Sequence, residues 1–264
     1  MGELNSIDDY LTPERLRTRI ETHLLYSEHP DDIEQAVLDA IALEPGGSLL
    51  DVGSGTGSFL ARLRSEGHQG RLVGLDTSPA AIETLRNLGS VEAVQADAAA
   101  LPFSEAEFSV VTARHMLYHV ADPAATLRQA RRVLAPGGWF AATVNFPDAY
   151  PQTLGLVRAV VTRHGIDLSR WHGPPVHTGN LPGLMETVFE NVETVLHANA
   201  LVFPTADAFS RYAVAQLGLF GVGDEFPQRA AVVDDLVAEA HRRFDACGGA
   251  LRDPKGYSLS VANA

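Results

Sequence analysis

The chain has 264 residues, 45% of them hydrophobic and 20% charged, enough for one sizeable core and a small appended subdomain. A formal net charge of -13, with scattered arginines and a single lysine (Lys255), argues against a surface that grips nucleic-acid phosphates. No apolar run approaches the ~18 residues that span a bilayer. The acidic N-terminus lacks a secretory h-region and Cys247 has no internal partner, so a cytoplasmic protein without membrane attachment is expected.

In chain order, residues 6–28 read as one or two amphipathic helices, with Leu11, Leu16, Ile20 and Leu24 spaced for one face. Asp31 or Asp32 can cap a following helix that stops at Pro45-Gly46-Gly47. Strand and helix then alternate: strand 48–52, helix 57–66, strand 71–75, helix 79–88, strand 91–95, strand 108–113, helix 123–134 and strand 138–144. Such alternation predicts parallel strands with crossover helices on both faces, and ligands at the carboxyl ends of the strands. The pattern breaks after Asn145. Pro147, Pro151, Pro174, Pro175 and Pro182 punctuate residues 146–190, with two helical stretches around the polar, aromatic segment 170–177. A strand over 193–203, helices near 205–217 and 227–246, and a last strand at Tyr257–Val261 complete the reading.

The densest signal is the run Leu49-Leu50-Asp51-Val52-Gly53-Ser54-Gly55-Thr56-Gly57. A strand ending in a glycine-rich turn before a helix lets backbone approach a ligand closely. A dinucleotide turn wants G-x-G-x-x-G/A, but counting from Gly53 puts Ser58 at the third position and Gly57 one place early. Asp51 would also repel a pyrophosphate. A cofactor with a cationic amino-acid end fits better, and S-adenosylmethionine carries both an ammonium and a sulfonium.

The stretch resembles motif I of the class I S-adenosylmethionine-dependent methyltransferases, of the small-molecule type, and the resemblance extends over about residues 30–145. Leu72-Val73-Gly74-Leu75-Asp76 is similar to that family's second strand, Val94-Gln95-Ala96-Asp97-Ala98 to its third, and Phe108-Ser109-Val110-Val111-Thr112-Ala113 to its fourth. Arg132-Val133-Leu134-Ala135-Pro136-Gly137-Gly138 is similar to the turn before its fifth. The resemblance implies an α/β fold, a doubly wound and mostly parallel seven-stranded sheet with an antiparallel last strand. It also implies a helical N-terminal cover over 1–30, a cofactor-binding core over 31–145, a helical lid insertion over 146–190 and completion of the sheet by 191–264.

For the site, the resemblance implies S-adenosylmethionine in the turn at Gly53, Gly55 and Gly57, its amino end at Asp51, its ribose at Asp76 beside Thr77, and its adenine at Asp97 and Ala98. Arg114 would border the sulfonium side, and Tyr26 would fold over the cofactor. The plain alternatives are helix capping by Asp76 or Asp97, a surface ion pair for Arg114 and a packing role for Tyr26. His119 matches a position where many small-molecule members carry a histidine. It is a candidate general base, as is His115 nearer the strand end, because imidazole titrates in the right range. His119 could instead cap or brace the next helix, and His115 could line the cofactor or the acceptor. Trp171, His172 and His177 are candidates for the acceptor wall. No metal is expected, since no histidine falls at a recognised ligand spacing.

The expected activity is methyl transfer to a small metabolite or natural-product acceptor. Whether oxygen, nitrogen or carbon receives the methyl stays open, as does the oligomeric state. The rivals are a nicotinamide-dependent oxidoreductase on the same general fold and a non-catalytic module that keeps the cofactor pocket.

Overall fold

A computed structural model describes residues 13–169 and 173–264. Trp171 and His172 lie outside the described residues, as does Leu11. The contacts separate the chain into two units: residues 1–31, 148–173 and 198–256 in one, and 32–147, 174–197 and 257–264 in the other. The expected cover and completing segments and the expected lid are not tested by this division. Their residues divide between a helical unit and a sheet unit.

The sheet unit is built from β1 (Leu49–Val52), β2 (Leu72–Asp76), β3 (Glu92–Gln95), β4 (Phe108–Arg114), β5 (Leu134–Asn145), most of β6 (Glu190–Phe203) and the end of β7 (Leu251–Asn263). The seven strands are ordered β3-β2-β1-β4-β5-β7-β6. β1 pairs in parallel with β2 and β4, β2 with β3, and β4 with β5, whereas β7 runs antiparallel to β5 from Trp139↔Asn263 to Asn145↔Tyr257. The alternation read from the sequence is thus the α/β sheet observed.

Period-two alternation divides the core of this unit. Leu50, Val52, Val111, Ala113, Ala142 and Val144 pack in one cluster, and Leu49, Val110, Ala141, Leu259 and Val261 in another. α2 (Ile33–Ala40), α3 (Ser58–Ser65) and α4 (Pro79–Asn87) contribute Val37, Phe59, Leu60, Ile82 and Leu85 to the second cluster. α5 (Pro123–Val133) contributes Leu127, Ala130 and Val133 to the first. Caps start three of these helices: Asp32 accepts from Gln35 N, Ser78 from Ala81 N and Asp122 from Ala125 N.

The helical unit holds α1 (Pro13–Tyr26), α6 (Pro151–Arg163), α8 (Ala206–Val214), a short 3-10 helix (Leu217–Phe220) and α9 (Arg229–Ala246), with the inner ends of β6 and β7. α7 (Leu181–Glu186) belongs to the sheet unit. Leu156, Val160, Leu201, Phe203, Phe209, Tyr212, Val232 and Leu236 form the helical unit's own core. One expectation fails here. Ile20 and Leu24 do not form a buried face of α1, being 50% and 79% exposed, and Leu25 is 70% exposed. The helix instead buries Thr22, whose hydroxyl donates to Thr18 O.

Candidate functional site

At the carboxyl end of β1 the backbone turns through three left-handed glycines, Gly53 (φ 68°), Gly55 (φ 55°) and Gly57 (φ 75°). They have different reasons to lack a side chain. A Cβ on Gly53 would lie 2.6 Å from Met116 Cβ, and one on Gly57 2.5 Å from Leu85 Cδ2. A Cβ on Gly55 would meet no protein atom within 4 Å. Gly53 and Gly57 are therefore demanded by packing as well as by φ, whereas the turn's middle residue faces open space.

Asp76, at the end of β2, holds that turn in place. Its Oδ2 accepts from Gly55 N at 2.9 Å and its Oδ1 from Ser78 N at 2.9 Å. The capping of α4 expected as Asp76's plain alternative belongs to Ser78. Thr77 follows, exposed, with its carbonyl accepting from Gln95 Nε2 at 3.0 Å. After β3, Asp97 is exposed and accepts from Ala99 N at 2.8 Å, while Ala98 is buried.

Asp51 is fully buried, on the same sheet face as Leu49. It accepts from Thr112 Oγ1 at 2.7 Å and from Arg114 Nη2 at 2.8 Å. Arg114 is itself largely buried. Its guanidinium lies 4.3 Å from the Phe59 ring centre and 3.6 Å from Glu34 of α2. Burial opposes its charge, but the attraction of Asp51, the hydrogen bond to it and the attraction of Glu34 outweigh that, so its pKa lies above the ordinary arginine value. This corrects one step of the sequence argument. Asp51 is not a lone carboxylate that would repel a pyrophosphate but half of an ion pair, so the argument against a dinucleotide rests on the glycine spacing. The surface pairing considered for Arg114 is instead a buried one. Glu34, Phe59 and Thr112 escaped the sequence reading, and only Glu34, in the first turn of a capped helix, carries any local signal.

Arg114 leads into His115, which adopts φ 51°, uncommon for a residue with a side chain, while its N–H donates to Thr143 O at 2.9 Å. Its ring meets Tyr257 edge-on at 6.1 Å, and Tyr257 stacks on His197 at 4.5 Å. His119 donates its N–H to Met116 O, and its ring contacts Tyr118 at 4.5 Å. His177 begins the turn into α7. Its N–H donates to Asn180 Oδ1 and its Nδ1 accepts from Gly179 N, which leaves the proton of a neutral ring on Nε2. Thr178 N–H donates to Asn145 O, so the segment after His177 is tied, like the residue after Arg114, to the carboxyl end of β5. Tyr26 belongs to the helical unit, where its ring lies 5.9 Å from Phe203. Among the described residues no cluster of three His, Cys, Asp or Glu is placed to hold a metal.

The comparisons agree with this geometry. Residues 50–142 match a family model described as a methyltransferase domain. The chain is 37% identical over 128 residues to a 2-phytyl-1,4-naphtoquinone methyltransferase of Thermosynechococcus vestitus, covering 47% of this chain and 56% of that protein. It spans about half the length of the curated relatives it matches. Among solved structures, a candidate methyltransferase of Bacillus halodurans C-125 superposes with a TM-score of 0.59 at 20% identity, over 88% of this chain and 98% of that one. The cyclase SpnF superposes with 0.61 at 18% identity, over 97% and 93%. Residues 50–142 thus match a methyltransferase domain, and the fold is one this chain shares with the Bacillus halodurans protein.

Proposed function

We propose that the chain transfers a methyl group from S-adenosylmethionine to a small-molecule acceptor. The observation that carries this reading is the open face of Gly55, whose N–H is held by the Asp76 carboxylate at the end of β2. Asp76 keeps lone pairs for the ribose hydroxyls after bonding Gly55 and Ser78, with Thr77 beside it. Asp97 and the backbone at Ala98 would take the adenine edge. The Asp51–Arg114 pair offers one charge of each sign, and the amino-acid end of the cofactor carries an ammonium and a carboxylate, so the residues fit the group. When bound, the cofactor supplies a methyl carbon activated by its sulfonium.

The chain's own residues then align the acceptor, exclude water and take a proton where the acceptor must lose one. His115 and His119 are the candidates for that proton, with Tyr26 over the cofactor and Trp171, His172 and His177 on the acceptor side. A metabolic or natural-product acceptor handled in the cytoplasm accords with the composition. Among the described residues, no helix is long and apolar enough to cross a membrane.

A second reading keeps the pocket without methyl transfer, since the fold is shared with a protein described as a cyclase. The test is calorimetric titration with S-adenosylhomocysteine and with NADH. Labelled methyl transfer to a panel of quinols, phenols and amines follows, repeated with His119→Ala and His115→Ala. Binding of S-adenosylhomocysteine with turnover on one acceptor supports the reading. Binding without turnover on the whole panel favours the second, and preference for NADH overturns both.

A further inference from the structure

β6 is the outer strand of the sheet on its β7 side. Its far end is covered: Ser27 bridges Leu201, and Glu28 N–H donates to Ala200 O at 2.9 Å. Ahead of that cover, among the described residues, no strand pairs with the outer side of residues 192–198. Ala200 turns its carbonyl outward to Glu28. The two-residue repeat of a strand therefore turns the backbone N–H and C=O groups of Ala198, Leu196, Thr194 and Val192 outward as well. Such a row of unmet donors and acceptors is a template for another strand.

Proteins that keep an edge to themselves guard it with proline, lysine, a bulge or a covering loop. Residues 192–198 contain neither proline nor lysine. The left-handed backbone of Asn191 (φ 53°) precedes this stretch rather than interrupting it. Val195 and Leu196 lie open on it, 56% and 62% exposed.

Neighbours fix the face that each side chain takes. Thr194 Oγ1 bonds Ser260 Oγ at 2.9 Å, and Val192 packs on the cluster that holds Ala142 and Val144. His197 stacks flat on Tyr257 at 4.5 Å, and Tyr257 belongs to the cluster of Leu259 and Val261. Val192, Thr194 and Leu196 thus share one face of the sheet, and Glu193, Val195 and His197 the other. Glu193 is exposed and has no ion-pair partner among the described residues.

We propose that this edge pairs antiparallel with the same edge of a second copy of the chain, about a two-fold axis at Val195. The sequence is self-complementary in that register. Thr194 exchanges both main-chain hydrogen bonds with the partner's Leu196, and Val192 with the partner's Ala198. On one face Val195 meets the partner's Val195. Glu193 stands opposite the partner's His197 on either side of that contact, a carboxylate facing a ring N–H. On the other face Thr194 and the partner's Leu196 cover each other. An axis at Thr194 would set Glu193 against Val195 and lose both polar pairs. Because the edge meets itself, the contact closes at two copies. A ladder this short is a small specific interface, so a dissociation constant of about 1–100 µM is expected. The pairing does not depend on the methyl-transfer reading.

Sedimentation equilibrium of the wild type should show monomer and dimer exchanging over about that concentration range. Val195→Lys brings two ammonium groups together at the axis and should weaken the dimer at least about tenfold. Glu193→Arg should weaken it too, and adding His197→Glu to that variant should restore it. Cross-linking reads the register in a Cys247→Ser background, since Cys247 is exposed. Val195→Cys should form a disulfide-linked dimer in oxidised glutathione, its two copies standing about 4.5 Å apart at Cα. Leu196→Cys should not, its copies lying about 8 Å apart. The cross-link decides the matter should Val195→Lys fail to fold. A monomer at every concentration, which leaves the edge to a strand of another protein, overturns the proposal. So does a dimer that folded Val195→Lys leaves intact, or Val195→Cys that links no better than Leu196→Cys.

Discussion

Single residues divide the glycine turn into structural and ligand-facing parts. Gly55→Ala places a methyl group in open space, so its stability cost is that of a left-handed alanine, about 1–2 kcal/mol. Its affinity for S-adenosylhomocysteine should fall at least about tenfold. Gly53→Ala drives the new carbon into Met116 and should cost about 3 kcal/mol or more before any ligand is added. Denaturant unfolding together with calorimetry checks both, and equal stability losses in the two variants would show this division to be wrong. The Asp51–Arg114 pair makes a separate prediction. Arg114→Ala leaves a fully buried carboxylate without its partner and should cost about 3–5 kcal/mol, whereas the double variant Asp51→Asn with Arg114→Met should cost less. A double-mutant cycle in urea measures the difference.

Among elements, α6 shows how a cap couples stability to pH. Asp253 accepts from Gln152 N, Thr153 N and Thr153 Oγ1, at the helix's first turn. Burial outweighs those bonds and raises its pKa above the ordinary aspartate value. The folded state therefore binds this proton more tightly than the unfolded state does. Its contribution to stability is complete below the ordinary aspartate range and fades as pH rises through the raised value. Relative to Asp253→Asn, the wild type should lose stability as pH rises from the ordinary aspartate range through the raised value, as read by urea unfolding at each pH. A constant gap would mean that the carboxylate does not titrate differently on folding.

The same scale shows where sequence reading falls short. The last strand was expected at Tyr257–Val261, yet β7 begins at Leu251, because Pro254 and Gly256 look like breakers. The ladder with β5 starts only at Tyr257, so the proline lies outside it. On α1 the apolar spacing through Ile20 and Leu24 is real but does not mark the buried side. A helix turns inward whichever face its neighbours can satisfy, and here that face carries Thr22 and His23.

For the whole molecule, two clusters of core residues lie in the sheet unit and one in the helical unit, and the glycine turn belongs to the sheet unit alone. Saturation with S-adenosylhomocysteine at about 100 times its Kd should stabilise the protein by about 2.7 kcal/mol. In hydrogen exchange, new protection should centre on residues 51–57, 76–77, 97–98 and 114–119. Protection confined to the helical unit would move the binding site away from the turn.

The sequence by itself determined the α/β alternation, the sheet strands up to β5, and the glycine turn with its following acid at Asp76. These features are local, because hydrophobic period, turn chemistry and motif spacing act over a few residues at a time. Only the tertiary structure decided that Asp51 is neutralised by Arg114, 63 positions away. It also decided that Gly53 and Gly57 are packed while Gly55 is open, and that Lys255 meets both Asp31 and His23. Those outcomes depend on which side chains meet once strands are in register and helices have docked. The period of a single segment carries no record of its partner on another.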